Sequence, residues 1–368
     1  MKIVHIALGK VNTNKMNGVN RVIHNLAENQ IKLGHEVTIW GITKNPTHNY
    51  TARNYKTKLF LNYSSLLFPK GMNKKIKTTS PGTVFHFHGG FIIQFYFIAK
   101  RLKHYGFSYV FTPHGCYNIV AMERSFWKKL LFSYFFDRSI VKNAKSIHFV
   151  GESEIDSAKK IFDFDSFKMI PNGQTLKKSE LSVKKNDIIV FGFCGRIDIK
   201  TKGLDILLNG FSNYLKEIGT KKAELWIIGD GREKNTLKSL AKKLGITNQV
   251  RFWGSVFGSS KIELMQKFDF IVLNSRNEGF PGVILEAAAL GIPSIISKET
   301  NMSFYIKKYN TGYVLKENDS KHIKETLKTA TEFIINKNTP PFHLNSRKMV
   351  AKEFDWELIT LRVTKMYV

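Results

Sequence analysis

Acidic residues are scarce in this 368-residue chain: 29 Asp and Glu stand against 57 Lys and Arg, a net charge of +28. The shortage is uneven. Between Glu36 and Glu123 there is no acid at all, while Lys44, Arg53, Lys56, Lys58, Lys70, Lys74, Lys75, Lys77, Lys100, Arg101 and Lys103 recur. Such a surplus favours anionic partners, whether nucleic acid, acidic lipid headgroups or phosphorylated substrates. Cysteine is nearly missing. Cys116 and Cys194 lie far apart without metal-ligand spacing, which excludes a disulfide framework and fits a reducing, cytoplasmic compartment. Long apolar runs are missing too. None approaches the roughly 20 residues that a spanning helix needs, and the opening MKIVHIALGK turns polar too early for a signal peptide.

What is present is globular, with a 43% hydrophobic share, 13% aromatic residues and length for two domains of ordinary size. Residues 2 to 7 read as a buried strand. A polar loop with Asn17 and Gly18 follows, then a helix carrying Val19, Val22, Ile23, Leu26 and Leu33 at helical spacing, ended by Gly34. With His35 to Trp40 as the next strand, this is the start of a doubly wound α/β domain. Gly18 either lets phosphate or sugar approach the helix start or merely eases the turn.

Lys44 to Ser80 is a basic excursion with one short strand. TVFHFHGG, 83 to 90, is a strand whose end carries His86, His88, Gly89 and Gly90, and a helix follows it. SYVFT, 108 to 112, is a strand leading into Pro113, His114 and Gly115. A histidine placed there is a candidate site residue, able to donate a hydrogen bond to sugar or phosphate. Residues 125 to 142 combine Phe126, Trp127, Leu130, Leu131, Tyr134 and Phe135 with Lys128, Lys129, Arg138 and Lys142. They read either as an interfacial helix on anionic lipid or as a core helix with solvated lysines. Strand 146 to 150, helix 152 to 162 and strand 167 to 170 close the first half. Asp163 and Asp165 lie in a connecting loop without ligand-rich neighbours, which argues against a metal there.

Residues 176 to 186 have a linker's composition, and a second doubly wound unit begins with strand 188 to 194. That strand runs into Gly195, Arg196, the segment DIKTK, Lys202 and Gly203, then a helix with Leu204, Leu207, Leu208, Phe211 and Leu215 on one face. Strand ELWIIGD closes with Gly229, Asp230 and Gly231. Strands at 250 to 254, 270 to 275 and 294 to 297 alternate with helices. The tail is helical from 321, broken at Pro340-Pro341 and resumed from 345 to 366 with Trp356.

The stretch NEGFPGVILEAAALGIP, 277 to 293, focuses the reading. Glu278 lies in the loop after a buried strand. Glu286 follows after seven intervening residues, within a helix that Pro281 is suited to start. Free amides and the positive end of a helix dipole gather at such an edge and favour anionic and polyhydroxylated ligands. Carboxylates accept vicinal hydroxyls but repel phosphate, so a ligand with both needs cations from elsewhere. Arg196 and Lys202 supply a fork and a point charge suited to a diphosphate. Taken alone, two glutamates at this spacing are also ordinary at a helix start.

The ordered set Asn17-Gly18, HFHGG, TPHG, IPNG, GRIDIKTKG, IIGDG, RFWGSV and EGFPGVILEAAALG resembles the retaining glycosyltransferases of family 4, over nearly the whole chain. The family's first loop commonly has Gly-Gly where this chain has Asn17-Gly18. The resemblance implies a GT-B fold, two doubly wound Rossmann-like domains facing a central cleft. Residues 1 to 175 would bind the acceptor, 176 to 186 would link, 187 to 344 would bind the nucleotide sugar, and 345 to 368 would cross back as a terminal helix. It places Arg196 and Lys202 on the donor diphosphate and Glu286 on the ribose. Glu278 falls on hydroxyls of the transferred sugar, with backbone amides at Phe280, Gly282 and Val283. Asp230 and Val256 fall near the nucleobase, His114 against the donor sugar and Gly18 near the phosphates. His114, Glu278, Arg196 and Lys202 would carry catalysis.

The implied reaction moves a hexose-type sugar with retention, by front-face attack, from a UDP-sugar or a GDP-sugar. Neither cofactor nor metal is expected, since the basic pair stabilises the leaving diphosphate. The acceptor would be a glycan, such as one on a polyprenyl diphosphate, in surface polysaccharide assembly. The enzyme would then sit on the anionic inner face of the cytoplasmic membrane, with no nucleic-acid partner. Two other classes compete: a basic nucleic-acid-binding protein, marked by steep salt dependence, and a catalytically silent nucleotide-sugar-binding subunit. A nucleotide-sugar epimerase of the same fold is disfavoured by the motif order.

Overall fold

The computed structural model describes residues 1–12, 18–47, 53–64, 66–123, 125–176, 188–219, 222–335 and 341–368. Asn17, Pro340 and residues 177 to 186 of the expected linker lie outside them. The chain forms two compact units, one of residues 1–173 with 356–368 and one of residues 174–355.

In the first unit seven parallel strands, β1 (Lys2–Leu8), β2 (Glu36–Thr43), β3 (Lys56–Leu61), β4 (Val84–His88), β5 (Tyr109–Thr112), β6 (Ser146–Phe149) and β7 (Phe167–Met169), are ordered β3-β2-β1-β4-β5-β6-β7. Parallel strands need crossovers, and these place helices on both faces, so β4, β5 and β6 are buried throughout. One face packs Val4, Ile6, Trp40, Phe85, Phe87 and Phe111 against helix Ile93–His104. The other carries Ile3, Ile39, Val84 and Val110 under helix Gly18–Lys32 and the final helix Trp356–Thr364. Strand alternation puts His5, His86 and His88 on this second face, with His5 opposite His86 across the β1–β4 pair. Gly173 admits the final helix: a Cβ there would stand 2.5 Å from the Trp356 ring.

The second unit repeats the plan. Strands β8 (Ile189–Cys194), β9 (Ala223–Ile228), β10 (Val250–Gly254), β11 (Phe270–Leu273), β12 (Ser294–Ile296) and β13 (Gly312–Val314) are parallel, in the order β10-β9-β8-β11-β12-β13. In both sheets the order reverses beside the first strand, the switch point where open α/β sheets hold ligands. Helix Leu204–Ile218 buries Leu204, Leu207, Leu208, Phe211 and Leu215 on the sheet, the face its spacing predicts.

Several elements differ from the sequence reading. The strand expected at 270 to 275 ends at Leu273, because Asn274 turns its side chain to the Gly203 carbonyl (2.8 Å). Pro281 is the N-cap of helix Gly282–Ala289 rather than its first residue: its ψ of 93° is extended. The continuous tail helix is three pieces, Phe342–Met349, a π turn Val350–Phe354 and Trp356–Thr364, parted where Asp355 is extended at ψ 135°. The 125 to 142 element is likewise helix Phe126–Phe132, π turn Ser133–Asp137 and helix Arg138–Asn143. Its first piece buries no residue, while Asp137, Ile140 and Val141 in the later pieces are buried. The element is thus exposed in its first piece and packed into the core in its later ones. Among the described residues no helix is long and apolar enough to cross a membrane.

Candidate functional site

The second sheet brings Lys202 and Glu278 together. Lys202 ends the short helix Ile199–Lys202 after β8, and Glu278 lies in the loop after β11, the strand beside β8 at the switch point. Lys202 Nζ donates to Glu278 Oε1, which also accepts from Ser275 Oγ at 2.8 Å. The two side chains are 17% and 13% exposed, so the pair is shielded but reachable.

The surrounding loops fix this pair. Gly203, at φ +65°, caps the short helix, and a Cβ there would stand 2.4 Å from the Asn274 carbonyl oxygen. Arg276 grips Asp205 with both Nη atoms (3.0 and 2.8 Å) and donates to the carbonyls of Ile199 and Lys200. Asn301 Nδ2 donates to the carbonyls of Glu278 (2.7 Å) and Gly279 (3.0 Å). Asp198 caps the 199 to 202 helix by accepting from the Thr201 amide at 3.0 Å, and Glu233 accepts from the Ile199 amide at 2.5 Å.

Glu286, in helix Gly282–Ala289, is paired with Lys261 of helix Gly258–Met265, and both are mostly shielded. Arg196 is 66% exposed and leans on Asp198 at 3.6 Å. Asp230 accepts from the Gly231 amide (2.8 Å) and Lys234 (2.9 Å), and the lysine bond holds its carboxyl below the usual range. Val256 and Phe280 pack on the second core, and Gly282 and Val283 open the helix that carries Glu286.

Gly18 and His114 belong to the first unit. Gly18 begins helix Gly18–Lys32, and among the described residues nothing lies within 4 Å of where its Cβ would be, so it meets the bland reading as well as the functional one. His114 stands at φ +56°, a strained value for a residue with a side chain. Burial lowers its pKa to about 3, and it hydrogen-bonds His88 at 3.0 Å. The buried Glu154 holds the turn after it by accepting from the Tyr117 amide (3.3 Å); burial pushes the Glu154 carboxyl up to about 7. His5, His86 and His88 are near enough to share a metal, their ligand atoms lying within 4.8 Å of one another. Each of their ring nitrogens already has a hydrogen-bond partner, so binding a metal there means breaking those bonds.

Sequence reasoning missed Lys261, Arg276, Ser275, Asn301 and Glu154. Arg276 and Ser275 sit next to the focal stretch and were findable there. Lys261 gave no signal, because its glutamate is 25 positions away on another helix.

Comparison with known proteins agrees with this architecture. Residues 16–177 match the family model "Glycosyltransferase Family 4" and residues 174–333 the model "Glycosyl transferases group 1". The sequence is 26% identical to an uncharacterized 41.2 kDa protein in the cps region of Klebsiella pneumoniae, over 96% of this chain and 94% of that protein. The apo lipopolysaccharide outer core galactosyltransferase WaaB superposes with TM-score 0.74 at 17% identity, covering all of both chains. Anabaena HepE in complex with UDP-glucose does so with TM-score 0.75 at 15% identity, over 99% of this chain and 98% of its own. The two family models together cover residues 16–333, and the paired parallel sheets are those of the GT-B fold. The chain belongs to the family 4 type glycosyltransferases.

Proposed function

We propose that the chain transfers a hexose-type sugar from a UDP-sugar, with retention, to a glycan or lipid-linked glycan in bacterial-type surface polysaccharide assembly. The observation that carries this reading is the pairing of Lys202 with Glu278 and of Lys261 with Glu286 beside the switch point of the second sheet. Each glutamate is held by an ammonium that a diphosphate sugar can recruit. When the diphosphate draws Lys202 toward itself, Glu278 is left to accept hydroxyls of the transferred sugar, and Glu286 accepts those of the ribose. Arg196, exposed and flexible in reach, adds a second cation.

In this reading the acceptor oxygen bonds to the anomeric carbon on the face from which the diphosphate leaves. The carbon–phosphate-oxygen bond breaks as the new bond forms, and the acceptor proton passes to the departing phosphate oxygen. Arg196 and Lys202 stabilise the charge that develops there, work done by a metal in other transferases. The UDP choice is supported by the UDP-glucose bound to HepE. The pathway is supported by the cps-region relative and the lipopolysaccharide role of WaaB.

Attachment to an anionic membrane face belongs to the same proposal. It is supported by the exposed Trp127 (73%), Tyr134 (64%), Phe135 (60%) and Leu131 (58%), interleaved with Lys128 and Lys129. The deciding experiment measures UDP-sugar binding and transfer with and without chelator. Lys202→Ala and Glu286→Ala should weaken donor binding, and Glu278→Ala should mainly lower kcat. Binding and transfer unchanged in all three variants would refute the site.

A further inference from the structure

The buried histidines of the first unit form one ordered chain of hydrogen bonds whose direction is dictated at a single point. His148 Nε2 lies 2.7 Å from the Ile170 carbonyl oxygen. A carbonyl only accepts, so this nitrogen carries the proton and Nδ1 of the neutral ring does not. His148 Nδ1 must then accept from Thr112 Oγ1 at 3.0 Å. That uses the one hydroxyl proton of Thr112, so its oxygen accepts from His86 Nε2 at 2.6 Å. His86 Nδ1 is consequently bare and accepts from the Tyr367 hydroxyl at 2.7 Å.

Tyr367, having donated its proton, accepts from Gln30 Nε2 at 3.2 Å, which turns the amide oxygen of Gln30 toward His5 Nε2 at 2.7 Å. His5 Nε2 therefore carries its proton, and His5 Nδ1 accepts from His88 Nε2 at 2.8 Å. His88 Nδ1 accepts in turn from His114 Nε2 at 3.0 Å. No member has to be charged, and all but His114 are buried. Burial lowers the pKa of all five rings, as neutrality requires.

We propose that Gln30 and Tyr367 are positioning residues that lock His114 as the Nε2–H tautomer, so that its Nδ1 offers a lone pair to a ligand hydroxyl. This replaces the sequence expectation that His114 donates a hydrogen bond: its proton is committed to His88. Among the described residues Nδ1 of His114 has no protein partner, and the residue is only half-buried. The arrangement selects the chemistry of the ligand. A phosphate oxygen facing that lone pair would be repelled, whereas a sugar hydroxyl would be accepted. Tyr367 follows the last helix, Trp356–Thr364, so the end of the chain sets the proton position of a residue more than 250 positions earlier, the tyrosine being linked to His86 across 281 positions and to Gln30 across 337. The proposal rests on the donor-sugar reading of His114 given above, but only for the identity of the hydroxyl.

The test is long-range proton–nitrogen correlation on the full chain labelled with nitrogen-15 histidine, near neutral pH and without ligand. His114→Gln identifies the His114 signals by their loss. Wild type should show His114 in one state, protonated at Nε2 and bare at Nδ1. Gln30→Met keeps the length of the side chain and removes the acceptor for His5, so a second His114 tautomer should appear. Tyr367→Phe should release the Gln30 amide and give a smaller change in the same direction. A wild-type His114 protonated at Nδ1, or at both nitrogens, overturns the proposal without any variant having to fold. So does a folded Gln30→Met protein whose His114 signals match wild type. If the locked tautomer is found but His114→Gln leaves sugar transfer intact, the relay stands and the donor-sugar reading of His114 falls.

Discussion

Lys202 Nζ hydrogen-bonds Glu278 Oε1 although they are 76 positions apart, and the contact joins the loops that follow two adjacent strands, β8 and β11. Both side chains are shielded, so neither charge is well hydrated if the other is lost. Removing one partner of such a pair costs about 1 to 3 kcal/mol, and removing both costs less than the sum. We expect Lys202→Met and Glu278→Gln each to lower the melting temperature by several degrees, and the double variant to lie above the additive value. For a unit of this size each kcal/mol corresponds to about 2 to 4 °C. Strict additivity in a thermal double-mutant cycle would show that the contact contributes no coupling.

Acid should destabilise the first unit well before carboxylates in general are protonated. His5 and His148 have pKa values lowered to about 4 and His114 to about 3, and His86 and His88 are lowered as well, burial being the main cause throughout. In the unfolded chain these rings regain an ordinary pKa near 6.5. Between about pH 6.5 and 4 the unfolded state therefore binds protons that the native state refuses, and stability falls as pH falls. Asp137 and Glu154 oppose this: burial raises both to about 7, so their native forms hold protons that the unfolded forms release. Five histidines outweigh two acids. Each net proton contributes about 1.4 kcal/mol per pH unit. Urea midpoints measured through this window should drop steadily, and a flat profile from pH 6.5 to 4.5 would contradict the neutral, buried state of the histidines.

The fold was legible because parallel, doubly covered strands are apolar runs ended by glycine, as at Ile189–Cys194 before Gly195 and Ala223–Ile228 before Gly229. Short pieces were not legible. β13 is three half-buried residues, and helix Ser303–Tyr309 buries only Ile306, so neither leaves a period to detect. The breaks at Ser133–Asp137 and Val350–Phe354 are π turns, which tertiary packing imposes on helical sequence. At the site, Glu278, Glu286, Arg196 and Lys202 could be singled out because each follows a strand end or opens a helix. Their partners could not. Lys261 meets Glu286, and Gln30 meets His5, only through the packing of separate elements. His86 and His88 were visible as strand residues, but that their bonds reach Tyr367 and His114 depends on strand register and on where the tail packs.

Gly229 and Gly219 offer a matched test of how tightly the turn bearing Arg196 is packed. Both have positive φ, +144° and +91°, so a side chain strains the backbone at either position. A Cβ at Gly229 would lie 1.8 Å from the Gly195 carbonyl oxygen, whereas among the described residues nothing lies within 4 Å of one at Gly219. Gly219→Ala should cost about 1 to 3 kcal/mol, the strain alone. Gly229→Ala should cost more than about 4 kcal/mol, the range reserved for core disruption, or leave the second unit unfolded. Equal losses in denaturant unfolding would mean that the ends of β8 and β9 can part freely.

The aromatic helix of the first unit gives a prediction in which apolar and charge terms separate. Phe126–Phe132 buries no residue, and Trp127, Leu131, Tyr134 and Phe135 are all more than half exposed. An apolar group of this size gains about 1.5 to 3 kcal/mol when fully removed from water, so losing one should weaken membrane attachment roughly tenfold or more. Lysines near an anionic surface add about 1 kcal/mol each, an attraction that salt screens. In vesicle sedimentation, Trp127→Ser and Phe135→Ser should reduce binding at every salt concentration. Lys128→Ser should reduce it only on vesicles containing phosphatidylglycerol, and only at low salt. Lys129 is a poor choice for that arm, because its ammonium is already bonded to the Ala121 carbonyl and lies over the Phe91 ring. Equal binding of wild type and Trp127→Ser to anionic vesicles would remove the membrane from the reading and leave this face to some other contact.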